Sequence, residues 1–135
     1  ASSFASAMIR EPLNGVAYDC PVDAGTGIWM LSPRRVVEAF IHAHDLPAVA
    51  WGTRRVVNLP GITARISDAL DALARVAGAD VTKRVAWKPD ARIQAIVETW
   101  PVNFHTPRAS AMGFAADPDV ETIIRSYIAD EGIKL

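Results

Sequence analysis

The 135-residue chain has eight glycines but no glycine-rich turn between a strand and a helix. Gly25-Thr26-Gly27 and Gly52 lack the G-x-G-x-x-G spacing that lets a backbone approach a pyrophosphate at a helix N-terminus, which excludes a dinucleotide site of that kind from this segment. There is a single cysteine, so no internal disulfide can form, and a buried cytosolic thiol is the simplest reading of Cys20. No apolar run approaches the roughly 18 residues of a membrane span, and the first residues lack the basic-then-apolar layout of a signal peptide. The expectation is a cytoplasmic protein with no membrane partner. Fourteen basic residues against fifteen acidic ones leave a net charge of −1, without the basic footprint that nucleic acid binding requires.

A 50% share of hydrophobic residues with 21% charged can build one modest core without metals or disulfides. Ser2 or Ser3 can cap a short helix carrying Phe4, Met8 and Ile9, closed by Pro12 and Asn14-Gly15. Val16 to Val22 is expected to run extended, and Gly27 to Leu31 reads as a buried strand feeding a helix with Ser32 as N-cap and Pro33 as first residue. Val36, Val37, Phe40, Ile41 and His44 recur at helical spacing, which predicts that this side lies on the core until Pro47 stops the helix. Arg55 to Leu59 reads as a strand broken by Pro60-Gly61. Ser67 is the expected cap of a helix with Leu70, Leu73, Ala74 and Ala77 inward, ending at Gly78. Val81 to Trp87 reads as a further strand and Ala91 to Thr99 as a helix with Ile93, Ile96 and Val97 inward. Asp117-Pro118 signals the start of a last helix carrying Val120, Ile123, Ile124, Tyr127 and Ile128. The order implies one small mixed α/β unit, without repeats or low-complexity segments.

Chemistry-bearing residues are thinly spread. His42 and His44 are two apart on a helix and point in different directions, and His105 has no second ligand at a useful spacing, so a metal centre is not expected. Hydroxyls on Ser2 and Ser3 at a helix start can meet a small polyol or an acid's oxygens, or serve as plain caps. Arg34 and Arg35 follow a strand end, a common place for substrate-facing groups in α/β folds, but also suit a solvated first turn. Trp29, Trp51, Trp87 and Trp100 offer aromatic surface for a pocket, with most expected in the core. Asp117, Asp119 and Glu121 lie near a helix start, where carboxylates complement the dipole, so they do not read as a catalytic pair.

The ordered set Ser2-Ser3-Phe4, Ile9-Arg10-Glu11-Pro12-Leu13, Trp29-Met30-Leu31-Ser32-Pro33-Arg34, Val57-Asn58-Leu59-Pro60-Gly61 and Ile93-Gln94-Ala95-Ile96-Val97 resembles one family. With Trp100-Pro101, Phe104, Arg108-Ala109 and Gly113-Phe114, it is similar to the C-terminal half of extended short-chain dehydrogenase/reductases, the NAD-dependent epimerase/dehydratase group. The likeness covers essentially the whole chain, and the order of the motifs carries it rather than any one of them.

That resemblance implies an α/β fold, the small mixed α/β substrate-binding lobe of such an enzyme, with the Rossmann domain absent from residues 1–135. It implies a parent that oxidises a small sugar acid such as D-erythronate, with NAD bound by a missing N-terminal Rossmann domain and a Tyr-x-x-x-Lys pair moving the proton. Tyr18 and Tyr127 have no lysine four residues on, so no catalytic or cofactor-binding residue transfers to this segment, which is expected to be inactive alone. The substrate-binding residues it implies are Ser2, Ser3, Phe4, Trp29 and Arg34. Relatives acting on nucleotide sugars place an arginine just before the strand matching Trp29-Met30-Leu31, where this chain has Thr26-Gly27-Ile28. Lys88 stands near a second such position and cannot make the planar guanidinium fork, which disfavours a diphosphate substrate. The opening Ala1-Ser2-Ser3-Phe4, helix-like and without an initiating Met, is read as a cut end. Such a segment is expected to bare an apolar face toward its missing Rossmann partner, a face that self-association between copies could also hide.

Overall fold

The computed structural model describes residues 3–135, so Ser2, expected as a cap and a substrate contact, lies outside the described residues. Helix α1 (Phe4–Leu13) leads to strand β1 (Tyr18–Cys20) and strand β2 (Gly27–Met30), then to α2 (Pro33–Asp45) and α3 (Ala48–Trp51). Strand β3 (Ile62–Arg65) runs directly into α4 (Ile66–Ala77), followed by α5 (Ala79–Thr82) and β4 (Val85–Trp87). Three helices complete the unit: α6 (Ala91–Val97), α7 (Pro107–Ala111) and α8 (Val120–Asp130). The strands form two separate pairs, β1 with β4 in parallel and β2 with β3 antiparallel, the latter in register from Gly27 opposite Arg65 to Met30 opposite Ile62. This is the small mixed α/β unit that the element order implies.

The core gathers around α4, whose Ile66, Ala69, Ala72 and Leu73 are buried against Met8 of α1, Val22, Val97 and Ile124 of α8. Burying the isoleucine, leucine, methionine and valine side chains among them contributes roughly 1.5–3 kcal/mol each relative to exposure. Among the described residues no helix is long and apolar enough to cross a membrane.

Helix α2 begins where its sequence signals it, with Ser32 Oγ accepting from the Arg35 amide and Pro33 in the first turn. Its face is the reverse of the expected one. Val37, Phe40 and Ile41 are 57%, 71% and 58% exposed, and no residue of α2 is buried. The apolar spacing is real, but α2 lies on the rest of the chain through its opposite side, where His42 Nε2 donates to the Met112 carbonyl at 2.7 Å and the ring packs edge-on to Phe114.

Residues 55–59 form no strand. Their stretch is held from outside, because the Arg108 guanidinium donates to the carbonyls of Trp51, Arg54 and Val56, and the ladder forms further on at Ile62–Arg65. Ser67 is not a cap: α4 starts one residue earlier, and its first amides, of Ile66 and Ser67, donate to the Thr26 and Ala24 carbonyls of the loop before β2. The expected strand from Val81 is cut to Val85–Trp87, since Gly78 at φ +92° turns the chain into α5 and β1 offers only three pairing residues. Helix α6 buries Val97, but Ile96 is exposed. Helix α8 starts at Val120 with Asp119 as its cap, not with the Asp117-Pro118 pair. The tryptophans are half-buried or, for Trp87, exposed, and of the four Trp100 packs against the core.

Candidate functional site

A recess lies where α1, β2 and α8 meet. Ala5, Ser6, Ile9 and Arg10 line one wall, Trp29, Met30 and Leu31 a second, and Ile123 and Tyr127 a third, with Pro33 at the edge, around a cavity of about 370 Å³. The lining is mostly apolar, and its polar members Ser6 and Arg10 are exposed. Ser6 and Arg10 are four residues apart on α1, so the helix places both side chains on one face. The Arg10 guanidinium is held by Glu11 through Nε and a terminal nitrogen, at 2.9 and 2.6 Å, and that carboxylate raises its pKa above the ordinary arginine value. Trp29 is fixed from behind by the Phe104 ring, with centroids 5.4 Å apart. Gly61 is required there: a Cβ on it would lie 2.6 Å from the Met30 carbonyl and 2.7 Å from the Trp29 ring.

The residues named from sequence are divided by the structure. Trp29 lines the recess. Ser3 is exposed at the N-cap position of α1, where its carbonyl accepts from Ala7 but its side chain makes no cap bond. Phe4 is buried and turns inward onto Trp100, with ring centroids 6.1 Å apart. Arg34 leaves the recess for a two-bond ion pair with Asp130 of α8, which raises its own pKa and holds the Asp130 carboxyl below the usual aspartate range. Ser6 was not named from sequence, Arg10 stood only within a motif, and Tyr127 was read as a helix position and set aside as a catalytic tyrosine, although the spacing of Ser3, Ser6 and Arg10 along one helix face was a readable signal.

A second depression of about 400 Å³ lies between residues 54–58 and 105–109. It is an open groove whose central arginine, Arg108, is spent on three backbone carbonyls, so it offers a ligand less than the recess beside Trp29. Lys88 is paired with Asp19 at 2.8 Å and is likewise engaged. Among the described residues no group of three metal-ligating side chains converges.

The described residues do not fit a dinucleotide. A pyrophosphate needs free amides at a helix start that follows a strand. At the β2–α2 junction the Ser32 amide and hydroxyl both donate to the buried Asp117 carboxylate, at 2.7 and 2.9 Å, and an anion there would meet another anion. At the β3–α4 junction the first amides are taken by loop carbonyls.

No family model matches the chain. In sequence and fold the chain matches the C-terminal part of the epimerase and extended short-chain dehydrogenase/reductase class. It is 47% identical over 98% of its length to D-erythronate dehydrogenase of Cupriavidus necator, and 35% identical over 95% to the D-erythronate dehydrogenase of Haemophilus influenzae. It spans about two-fifths of those relatives, 41% of each. A crystal structure described as a nucleoside-diphosphate-sugar epimerase from Agrobacterium tumefaciens superimposes with a TM-score of 0.93 at 34% identity, over 98% of this chain and 39% of that one. An L-threonine dehydrogenase from Phytophthora infestans shares the fold, with a TM-score of 0.79 at 19% identity over 99% of this chain and 42% of that one.

Proposed function

We propose that this chain is the single substrate-binding lobe of a longer, cytoplasmic NAD-dependent dehydrogenase that oxidises a secondary alcohol of a small sugar acid such as D-erythronate. The observation that carries the reading is the 47% identity to a D-erythronate dehydrogenase across nearly the whole chain. NAD, bound by a separate Rossmann domain, supplies the hydride acceptor. The residues of this chain bind and orient: Trp29 walls the recess beside its apolar lining, and Ser6 and Arg10, exposed on α1 and resting on the Ser3 carbonyl and the Glu11 carboxylate, are the polar groups that turn to a substrate's hydroxyl and carboxylate oxygens. Neither Tyr18 nor Tyr127 has a lysine four residues on, so proton transfer belongs to the other domain and the segment alone is inactive. Groups that act as a unit are lost as a unit.

The test is NAD reduction with D-erythronate by the polypeptide that joins this lobe to its dinucleotide domain, beside the same assay on these 135 residues. Activity in the first and none in the second is expected. Turnover by the 135 residues alone contradicts the reading.

A second reading, a nucleotide-sugar epimerase or dehydratase, draws support from the likeness to the Agrobacterium tumefaciens structure. The engagement of Lys88 by Asp19 and the lack of an arginine at residues 26–28 count against a diphosphate clamp. Thermal shift with UDP- and ADP-sugars separates the two, because a ligand that binds only the folded form stabilises it. A stand-alone binding or assembly module is a third reading, and the bare apolar side of α2 counts against it.

A further inference from the structure

We infer that the groove between residues 54–58 and 105–109 is an anion site that takes a compact phosphate group, free or as the monoester of a small metabolite. The inference is independent of the dehydrogenase reading and concerns a surface apart from the recess beside Trp29. Arg54, Arg55, Asn58, His105, Thr106 and Arg108 supply the polar lining, and no carboxylate among the described residues lines it. Among those residues seven basic side chains are ion-paired, from Arg10 with Glu11 to Arg125 with Glu121, and none of the seven stands in this groove. The Arg108 hydrogens go to the carbonyls of Trp51, Arg54 and Val56, but these partners are neutral, so its positive charge stays uncompensated. Three guanidinium charges therefore gather at one depression of a chain whose net charge is −1. A cleft lined by one sign of charge focuses its field on a counter-ion.

The donor set selects among anions. By holding three carbonyls, Arg108 fixes the course of residues 51–56, so Arg54 and Arg55 stand on an anchored stretch of backbone. Both are exposed, which leaves their planar donor forks open to solvent. A guanidinium fork matches two oxygens of one phosphate, a fit that an ammonium cannot make. Two neighbouring forks suit an ion with three equivalent oxygens and about 1.5 to 2 negative charges at neutral pH, as a phosphate monoester has. A monocarboxylate brings two oxygens and a single charge. The groove encloses about 400 Å³, within the roughly 300–1,000 Å³ of small-molecule sites. That leaves room beside the phosphate for a short carbon skeleton, whose hydroxyls the Asn58 amide and the Thr106 hydroxyl can meet.

Histidine resonances read the site. The chain, alone and joined to the dinucleotide domain of the Cupriavidus necator relative, is prepared with isotope-labelled histidine and titrated with inorganic phosphate, glycerol phosphate and acetate, chloride being exchanged to hold the ionic strength constant. His105 lines the groove, and His44 on α2 is the control. The expected result is a saturable shift of the His105 ring with both phosphates in both forms of the protein, with His44 unmoved. Replacing Arg54→Gln and Arg55→Gln together should raise the apparent Kd about tenfold or more. Arg108 is left in place because it holds the backbone, and an unchanged His42 ring, packed on Phe114, shows that the double variant is folded. A His105 shift that never saturates, that acetate reproduces at the same concentration, or that the folded double variant retains in full overturns the inference. So does a saturable shift in the lobe alone that vanishes in the joined form, because the other domain then covers the groove. Activity is not the readout, so a joined polypeptide that binds phosphate here but ignores D-erythronate upholds the site and refutes the substrate.

Discussion

Asp117 binds Ser32 twice across 85 residues of sequence, accepting from its amide at 2.7 Å and its hydroxyl at 2.9 Å, with both side chains buried. Ser32 Oγ in turn accepts from the Arg35 amide, so one carboxylate fixes the residue that starts α2. The pair ties the approach to α8 to the corner at which strand β2 becomes helix α2. That corner carries Leu31 and Pro33 of the recess on one side and the exposed stripe of α2 on the other.

Removing either partner strands the other in a dry site. Asp117→Asn keeps the shape but takes from the buried Ser32 hydroxyl the oxygen it donates to, and about 1–3 kcal/mol of stability is expected to go, as for other unsatisfied buried groups. Ser32→Ala loses the helix cap as well, about 0.5–2 kcal/mol. Urea midpoints of the two single variants and the double should be non-additive, since one network is broken in each. Strict additivity would show that the two residues act separately.

Gly61→Ala tests the packing behind Trp29. The new Cβ would meet the Met30 carbonyl and the indole ring, and a backbone carbonyl cannot swing aside as a flexible side chain can. Overpacking of this kind costs about 1–3 kcal/mol. The expected result is a lower melting temperature with a changed Trp29 fluorescence environment; an unchanged variant would mean that β2 and β3 separate easily.

Acid should act through two carboxylates. The Thr122 amide holds the Asp119 carboxyl below the usual aspartate range, and the Arg34 guanidinium does the same for Asp130. A depressed carboxyl stabilises fully above its unfolded pKa, about 3.9, and loses that contribution as pH falls through the lower folded value. Thermal melts from neutral to strongly acid pH should show a fall in stability below about pH 4 that is shallower in Asp119→Ala and Asp130→Ala. A fall of unchanged steepness in both variants would place the acid sensitivity elsewhere.

Cys20 should be slow to react in the folded protein. Burial raises its thiol pKa, and its Sγ faces the Val22 carbonyl, so little thiolate is available to a reagent. Labelling with an aromatic disulfide is expected to be slow in buffer and rapid in denaturing urea. Rapid labelling in buffer would mean that β1 and its surroundings open readily.

Local chemistry was what the sequence made legible. Ser32-Pro33 announced α2, Gly78 closed α4, and the spacing of Ile123, Ile124 and Tyr127 gave α8, because caps and periodicity act within a turn or two. Long-range partners decided the rest. Val56-Val57 has strand-like composition, but Arg108 takes the neighbouring carbonyls, and the ladder forms where β2 can pair. Asp117 looked like the start of the last helix because nothing local reveals that its partner is Ser32. The stripe on α2 was correctly spaced, and spacing alone does not say which side the rest of the chain covers. In the candidate site the aromatic wall at Trp29 was legible, whereas Arg10 was quoted only within a motif and Arg34 was drawn away by Asp130.

The most direct measurement is the appearance of NADH when D-erythronate and NAD are given to the polypeptide joining this lobe to its dinucleotide domain, compared with these 135 residues alone. Reduction by the joined form, weakened by Trp29→Ala mainly through a higher KM, with none by the lobe alone, is the predicted result. NADH formed by the lobe alone would contradict the account, as would a joined form that converts nucleotide sugars and leaves D-erythronate untouched.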